Sequence, residues 1–398
     1  MFQDLTVIDA ASYVAGPAAA TVLADYGANV IKVEPPQGDA YRGLAARYRT
    51  NYNWLLTSRN KRSIAIDIRQ SAGQALLHQL LEKADVLIVN FNLAQLEKYQ
   101  LNFETLKAIN SRLILAQITG YGNRGPEAER RAFDVAAWWA RAGIMDMMTT
   151  PGATPPNGAG GVGDHASAMT LFGAIMMALY RREKTGHGSF VSTSLVANGV
   201  WSMGMHVQGM IAGYDPTQML KEKGYSPFTI SYQTRDDGYL MLVGANPNRE
   251  WPLLCRALNR PEWLADARFG DMKSIMQHRV EVRALFAEAF GQMTTAEAMQ
   301  ALDDVDATYS VVEPLRDVVS DAQLIENEVI RPTGDSDPDY QFTVNSPLEM
   351  VGTTKVAVRR APDLGAHSKE ILAELGLDAA AIAELLEANV VRAGQPPE

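Results

Sequence analysis

Residues 5–34, LTVIDAASYVAGPAAATVLADYGANVIKVE, decide the fold. LTVIDA is a short apolar run that predicts a strand. GPAAATVLADYG then has Pro17 in place for a helix first turn and Gly27 in place for its C-terminal exit, and NVIKVE follows as a second strand. Strand, helix, strand within thirty residues is a βαβ unit.

The alternation continues outward. RSIAIDI predicts a third strand. Ser71 is placed to cap AGQALLHQLLEKA, whose Leu76, Leu77, Leu80 and Leu81 fall at helical spacing, and DVLIVNF resumes as a strand apolar enough to be buried on both faces. FETLKAIN and RLILAQITGYG repeat helix then strand. The expected fold class is therefore α/β, with a Rossmann-like large domain built on an open, mostly parallel sheet. A helix is expected from Asp164 to Gly186, and SFVSTSL as a further strand. Near Pro227 the pattern changes: FTISYQT and YLMLVGA flank Arg235–Gly238 as a hairpin, and helical segments follow to about residue 325. The reading assigns 1–205 to the large domain, 225–325 to a smaller α+β domain, and 340–398 to a C-terminal segment returning to the large one. HSKEILAELG and AAIAELLEANVV are expected amphipathic helices, and RAGQPPE an unstructured tail.

The formal net charge of −10 argues against a nucleic-acid or membrane-surface binder, which needs a field of positive charge. Cys255 is the single cysteine, so neither an intrachain disulfide nor a multi-cysteine metal site can form, and no metal is expected. The start, MFQDLTVIDA, has an acid at Asp4 and neither a basic region nor a long apolar one, so a cytoplasmic location is expected. VANGVWSMGMHVQGMIAG (196–213) is interrupted by Asn198, His206 and Gln208 and is expected to be a buried helix rather than a membrane span.

Residues 157–169, NGAGGVGDHASAM, contain a GxGxxG at Gly158, Gly160 and Gly163. A dinucleotide turn comes off a strand and is answered by an acid about 20 residues on, at the end of the next strand. Here three prolines precede the glycines and Glu183 lies inside a helix, so the dinucleotide reading fails. Two readings of Asp164 stay open: an N-cap of the following helix, or a carboxylate presented by a pliable turn. A second signal lies between Arg42 and Arg62, where Arg42, Arg47, Arg49, Arg59, Lys61 and Arg62 occur without an acid. Such a run is either a landing site for an anionic ligand or a solvated patch. Asn90 and Phe91 close a buried strand, where ligands of open α/β sheets bind, although Phe91 equally suits the core.

GVGDHASAMTLFGAIMMALYRREKTGHGSFVSTSL resembles the core segment of the class III CoA-transferases, the formyl-CoA and carnitine CoA-transferase group. AGPAAATVLADYGANVIKVEPPQGDAYR, RNKRSIAIDI, DVLIVNF, RLILAQITGYGNRGPEAERRAFD and APDLGAHSKEILAELG match family blocks in order. The resemblance implies an enzyme that moves CoA from an acyl-CoA donor, with succinyl-CoA as a candidate, to a small carboxylic acid. Asp164 would be the nucleophile, working through anhydride and aspartyl-CoA thioester intermediates. It also implies an interlocked homodimer, no cofactor beyond the CoA thioester substrate, and CoA contacts at Val14, Ala15, Arg69, Asn90, Phe91, Lys98, Arg131 and Asp134. Arg42, from the basic run, is added to these. Glycine N–H groups near Asp164 are expected to stabilise oxyanions. The chain departs from formyl-CoA transferases in having Val14 where they have a Gln that helps cover the anhydride, and in lacking their glycine-rich second-domain loop. Formate and oxalate are therefore not the expected pair. Two alternatives remain. An α-methylacyl-CoA racemase would need a His where Phe133 stands, and a non-catalytic CoA-binding protein would do without the nucleophile.

Overall fold

A computed structural model describes residues 1–45, 47–215, 217–218 and 224–394. The chain divides into two compact units, Met1–Gln208 with Ile325–Glu398, and Gly209–Leu324.

The first unit is built on β1 (Thr6–Asp9), α1 (Ala15–Asp25), β2 (Asn29–Glu34), β3 (Arg62–Ile66), α2 (Ser71–Glu82), β4 (Val86–Val89), β5 (Ile114–Thr119), α3 (Val162–Thr185) and β6 (Phe190–Ser194). The strands pair in parallel in the order β3-β2-β1-β4-β5-β6. Helices pack both faces of such a sheet, which is why β4, VLIV, is apolar at every position and fully buried. On one face α1, rich in alanine and buried along its whole length, packs against α3. The order of connection reverses between β1 and β4, so their C-terminal ends flank the crevice where open α/β sheets bind ligands.

The second unit has an antiparallel sheet of β7 (Ser231–Gln233), β8 (Tyr239–Leu242) and β9 (Tyr309–Val311), with Gln233 paired to Tyr239 across the expected hairpin. Its core contains Phe228, Tyr232, Trp251, Phe286 and Phe290. Chain then returns to the first unit through an antiparallel pair, β10 (Ile330–Pro332) and β11 (Phe342–Val344), and ends with β12 (Val391–Arg392), antiparallel to β3 at the sheet edge. The two expected C-terminal helices are Ser368–Glu374 and Ala379–Glu387. The expected unstructured tail begins later than residue 392, since Arg392 lies in β12 and Gly394 N donates to Gly365 O; residues 395–398 lie outside the described residues.

Three local expectations are corrected. Ser71 does not cap α2: it is the first helical residue, and Gln70 precedes it with no side-chain capping bond. α3 begins at Val162, two residues before Asp164. Residues 196–213 do not form one buried helix, because the chain breaks into Leu195–Ser202 and Gly204–Ile211, and among the described residues nothing covers Trp201 (85% exposed) or Met205 (88%). Among described helices, α3 is by length and composition apolar enough to cross a membrane, yet Ser167, Ala168, Leu171, Ile175, Ala178 and Arg182 on it are buried and it packs on β5, β6 and α1.

Candidate active site

α3 presents its N-terminus at the turn that carries the glycines. Gly161 precedes it at φ 88, a left-handed conformation that glycine adopts without steric cost. The other glycines serve close approach. A Cβ on Gly158 would lie 2.4 Å from the Trp139 ring and one on Gly163 2.6 Å from the Trp138 ring, whereas Gly160 has nothing within 4 Å. Gly158 and Gly163 are thus fixed by the indoles packed against them, and Gly160 is not.

The free N–H groups of a helix start need an acceptor. Here Asp134 supplies it: its Oδ2 accepts from Gly161 N (2.8 Å) and Gly163 N (3.1 Å), and the residue is buried. This settles the capping question against Asp164, which caps nothing. It also takes Gly161 N and Gly163 N from the expected oxyanion donors. The Asp164 carboxylate is half-buried and has no hydrogen-bond or ion-pair partner among the described residues. Burial, and secondarily the charge of Asp134, raises its pKa to about 7.

Tyr41 feels the charge of Asp164, and Tyr13 and Phe133 belong to the same cluster of rings. Tyr13 packs edge-on against Phe133 at 5.1 Å and tilted against Tyr41 at 6.2 Å. Tyr41 is buried with Val14 and Trp54, and burial first, then the Asp164 charge, pushes its hydroxyl up to about 12. Val14 and Ala15 are buried at the start of α1.

Asn90 bridges the crevice. Its Oδ1 accepts from Ser12 N (3.0 Å) and its Nδ2 donates to Ser12 O (3.1 Å), tying the ends of β1 and β4 together. Phe91 packs tilted against Tyr99 at 5.5 Å. The exposed ammonium of Lys98 lies over the same ring at 5.5 Å. Arg69, exposed and paired with Asp67 at 2.7 and 2.9 Å, interacts with Tyr99 as well. Four of the residues named from sequence thus gather at the C-terminal ends of β3 and β4. Arg131 is exposed and pairs with no carboxylate among the described residues.

The basic run does not stand as a field of free charge. Arg42 makes a two-point pair with Glu34 at 2.7 and 2.8 Å, donates to Pro362 O and stacks on Trp54. Arg59 is paired with Asp25, Lys61 with Asp9, Arg62 with Glu370 and Glu374, and Arg49 with Asp337 and Asp339. Arg47 alone of the six has no acidic partner among the described residues.

Sequence reading missed a buried ionic lattice beneath the β1–α1 turn. Lys61 Nζ donates to Asp9 Oδ2 (2.8 Å), Pro17 O (2.8 Å) and Thr57 O (2.7 Å). Lys32 bonds Ala11 O and lies 3.3 Å from Asp39, whose carboxylate accepts from Tyr13 N and Tyr41 N. Burial pulls Lys61 down to about 8 against the opposing pull of Asp9. The signal was present, because Lys32 stands between Ile31 and Val33 in a buried strand and such a residue must find a partner.

The family model described as CoA-transferase family III matches residues 2–368. The chain is 28% identical to (R)-2-hydroxy-4-methylpentanoate CoA-transferase of Clostridioides difficile, over 98% of this chain and all of that one. It is 30% identical to succinyl-CoA–D-citramalate CoA-transferase of Chloroflexus aurantiacus, over 94% and 93% of the two chains. Among solved structures it matches a CAIB/BAIF family protein from Brucella suis at TM-score 0.80 and 28% identity, covering 93% of this chain and 98% of that one. With a family model spanning nearly the whole chain and relatives named as CoA-transferases, this protein belongs to CoA-transferase family III and is an enzyme of that class.

Proposed function

We propose that the enzyme transfers CoA from an acyl-CoA donor to a small carboxylic acid by covalent catalysis at Asp164. An Asp164 oxygen attacks the thioester carbonyl carbon, the C–S bond breaks, and CoA leaves as thiolate with a mixed anhydride behind it. The thiolate then attacks the Asp164 carbonyl carbon, expelling the donor's carboxylate and leaving an aspartyl-CoA thioester. The acceptor carboxylate repeats the two steps in reverse. What carries the reading is an unpartnered, half-buried carboxylate at a helix start whose capping is done by another residue, Asp134.

Relatives named for succinyl-CoA make it the first donor to try. The crevice between β1 and β4, with Asn90, Phe91, Lys98 and Arg69 along it, is the proposed CoA site, and Arg131 a cation for the acid. Exposed Trp201, Met205, Met177 and Tyr180 support the interlocked homodimer, since apolar surface of this kind marks an interface. A cytoplasmic location belongs to the same reading. Proton transfer of the racemase kind lacks a second base, because Phe133 carries none.

Trapping tests the proposal. Incubation with succinyl-CoA or acetyl-CoA and hydroxylamine should leave a hydroxamate on Asp164 by mass spectrometry, and Asp164→Ala should slow CoA exchange by on the order of 1000-fold. Exchange at an undiminished rate in Asp164→Ala would overturn it.

A further inference from the structure

Tyr13 sits at φ 66, and of the eight non-glycine residues with positive φ among the described residues it alone is aromatic. Left-handed backbone costs a residue with a Cβ about 1–2 kcal/mol, and such outliers cluster where function needs a particular geometry. The conformation is imposed from below. Both oxygens of Asp39 lie 3.3 Å from Tyr13 N, and Asp39 is anchored by Lys32 within the ionic lattice. A buried ion pair thus holds an aromatic residue in an unfavourable backbone state.

The outcome is a cluster of three rings from three separate segments. Tyr13 is half-buried and meets Phe133 and Tyr41. Phe133 precedes Asp134, which binds the turn holding Asp164, and Tyr41 feels the Asp164 charge. Resting on the reading of Asp164 as nucleophile, we propose that Tyr13 is a shielding residue, strained into place so that its ring keeps water from the acyl group on Asp164.

The reaction it opposes is hydrolysis. Water oxygen bonds to the acyl carbon of the anhydride and the bond from that carbon to the Asp164 oxygen breaks; one water proton goes to the CoA thiolate and the other to solvent, so the donor's carboxylate and CoA thiol are lost and the Asp164 carboxylate is restored. Excluding water is therefore a requirement of any anhydride route.

The measurement compares thiol release with exchange of isotopically labelled acid into its own acyl-CoA, which needs no knowledge of the natural acceptor. Succinyl-CoA with succinate and acetyl-CoA with acetate are the probes, used with the parent, Tyr13→Gly and Tyr13→Phe. Tyr13→Gly should raise the ratio of hydrolysis to exchange about tenfold, since one lost shielding contact is worth about 1.4 kcal/mol. It should do so without lowering the thermal midpoint, because glycine relieves the strain. Tyr13→Phe should behave as the parent. An unchanged ratio in Tyr13→Gly, or a Tyr13→Phe that leaks as much as Tyr13→Gly, overturns the shield alone. Failure of both donors to leave an adduct on Asp164 in the parent overturns the nucleophile and the shield with it.

Discussion

Asp9 and Asp164 belong to the same unit and meet opposite fates. Asp9 is fully buried, yet it is charge-paired with Lys61 at 2.8 Å and lies 3.8 Å from Lys32. Asp164 is less buried, but its nearest charged influence is a second carboxylate. Desolvation raises the cost of charge for both. Compensation differs, so the same side chain is a fixed strut in one place and a poised reagent in the other.

The widest contrast comes from breaking the paired site. Lys61→Met takes the close partner from Asp9, leaves it only the more distant Lys32 at 3.8 Å, and should cost about 3–5 kcal/mol in chemical denaturation, with much of it recovered in Asp9→Asn/Lys61→Met. A single variant within about 1 kcal/mol of the parent would remove the lattice from the account.

The unpaired site should respond with the opposite sign. The folded pKa of Asp164, about 7, lies above its ordinary value of 3.8. Above pH 7 the native state therefore bears a charged carboxylate at a penalty, which fades as pH falls towards 4 and the native state takes up the proton. Asp164→Asn should accordingly be more stable than the parent at pH 8, by up to about 4 kcal/mol at 1.36 kcal/mol per pKa unit. The gain should vanish near pH 4. Equal stability of the two proteins at pH 8 would show that Asp164 is not desolvated.

The smallest effect sharpens the picture of the turn between them. Gly163→Ala drives a Cβ into the Trp138 ring and should cost about 1–3 kcal/mol, whereas Gly160→Ala meets nothing within 4 Å and should be nearly neutral in the same melting experiment. Equal losses would mean that the glycines answer to backbone freedom and not to the indoles.

How much of this could be read in one dimension follows from the range of the interactions. β4 was legible because a strand buried on both faces is apolar throughout, the other strands of the sheet because short apolar runs alternate with helical stretches, and the hairpin because Arg235–Gly238 interrupts two β-prone runs. Asp164 was legible as a carboxylate in a glycine-rich turn, but its freedom was not, since the capping oxygen comes from Asp134, 30 residues earlier. The basic run misled for the same reason. Its counter-charges at Asp9, Asp25, Glu34, Asp337, Asp339, Glu370 and Glu374 are distant in sequence, and a local count of charge cannot see them. Residues 196–213 misled differently: an apolar stretch predicts burial against something, and among the described residues nothing covers Trp201 or Met205.

The edge strand β12 pairs Val391 with Ile66 and Arg392 with Ala65, so the first unit cannot finish its sheet until residues 391–392 have left the ribosome. Throughout synthesis of everything between, β3 offers an open hydrogen-bonding edge. The inserted unit, whose partners are all nearer in sequence, can mature first. Truncation at the C-terminus should therefore damage a segment translated more than 300 residues earlier.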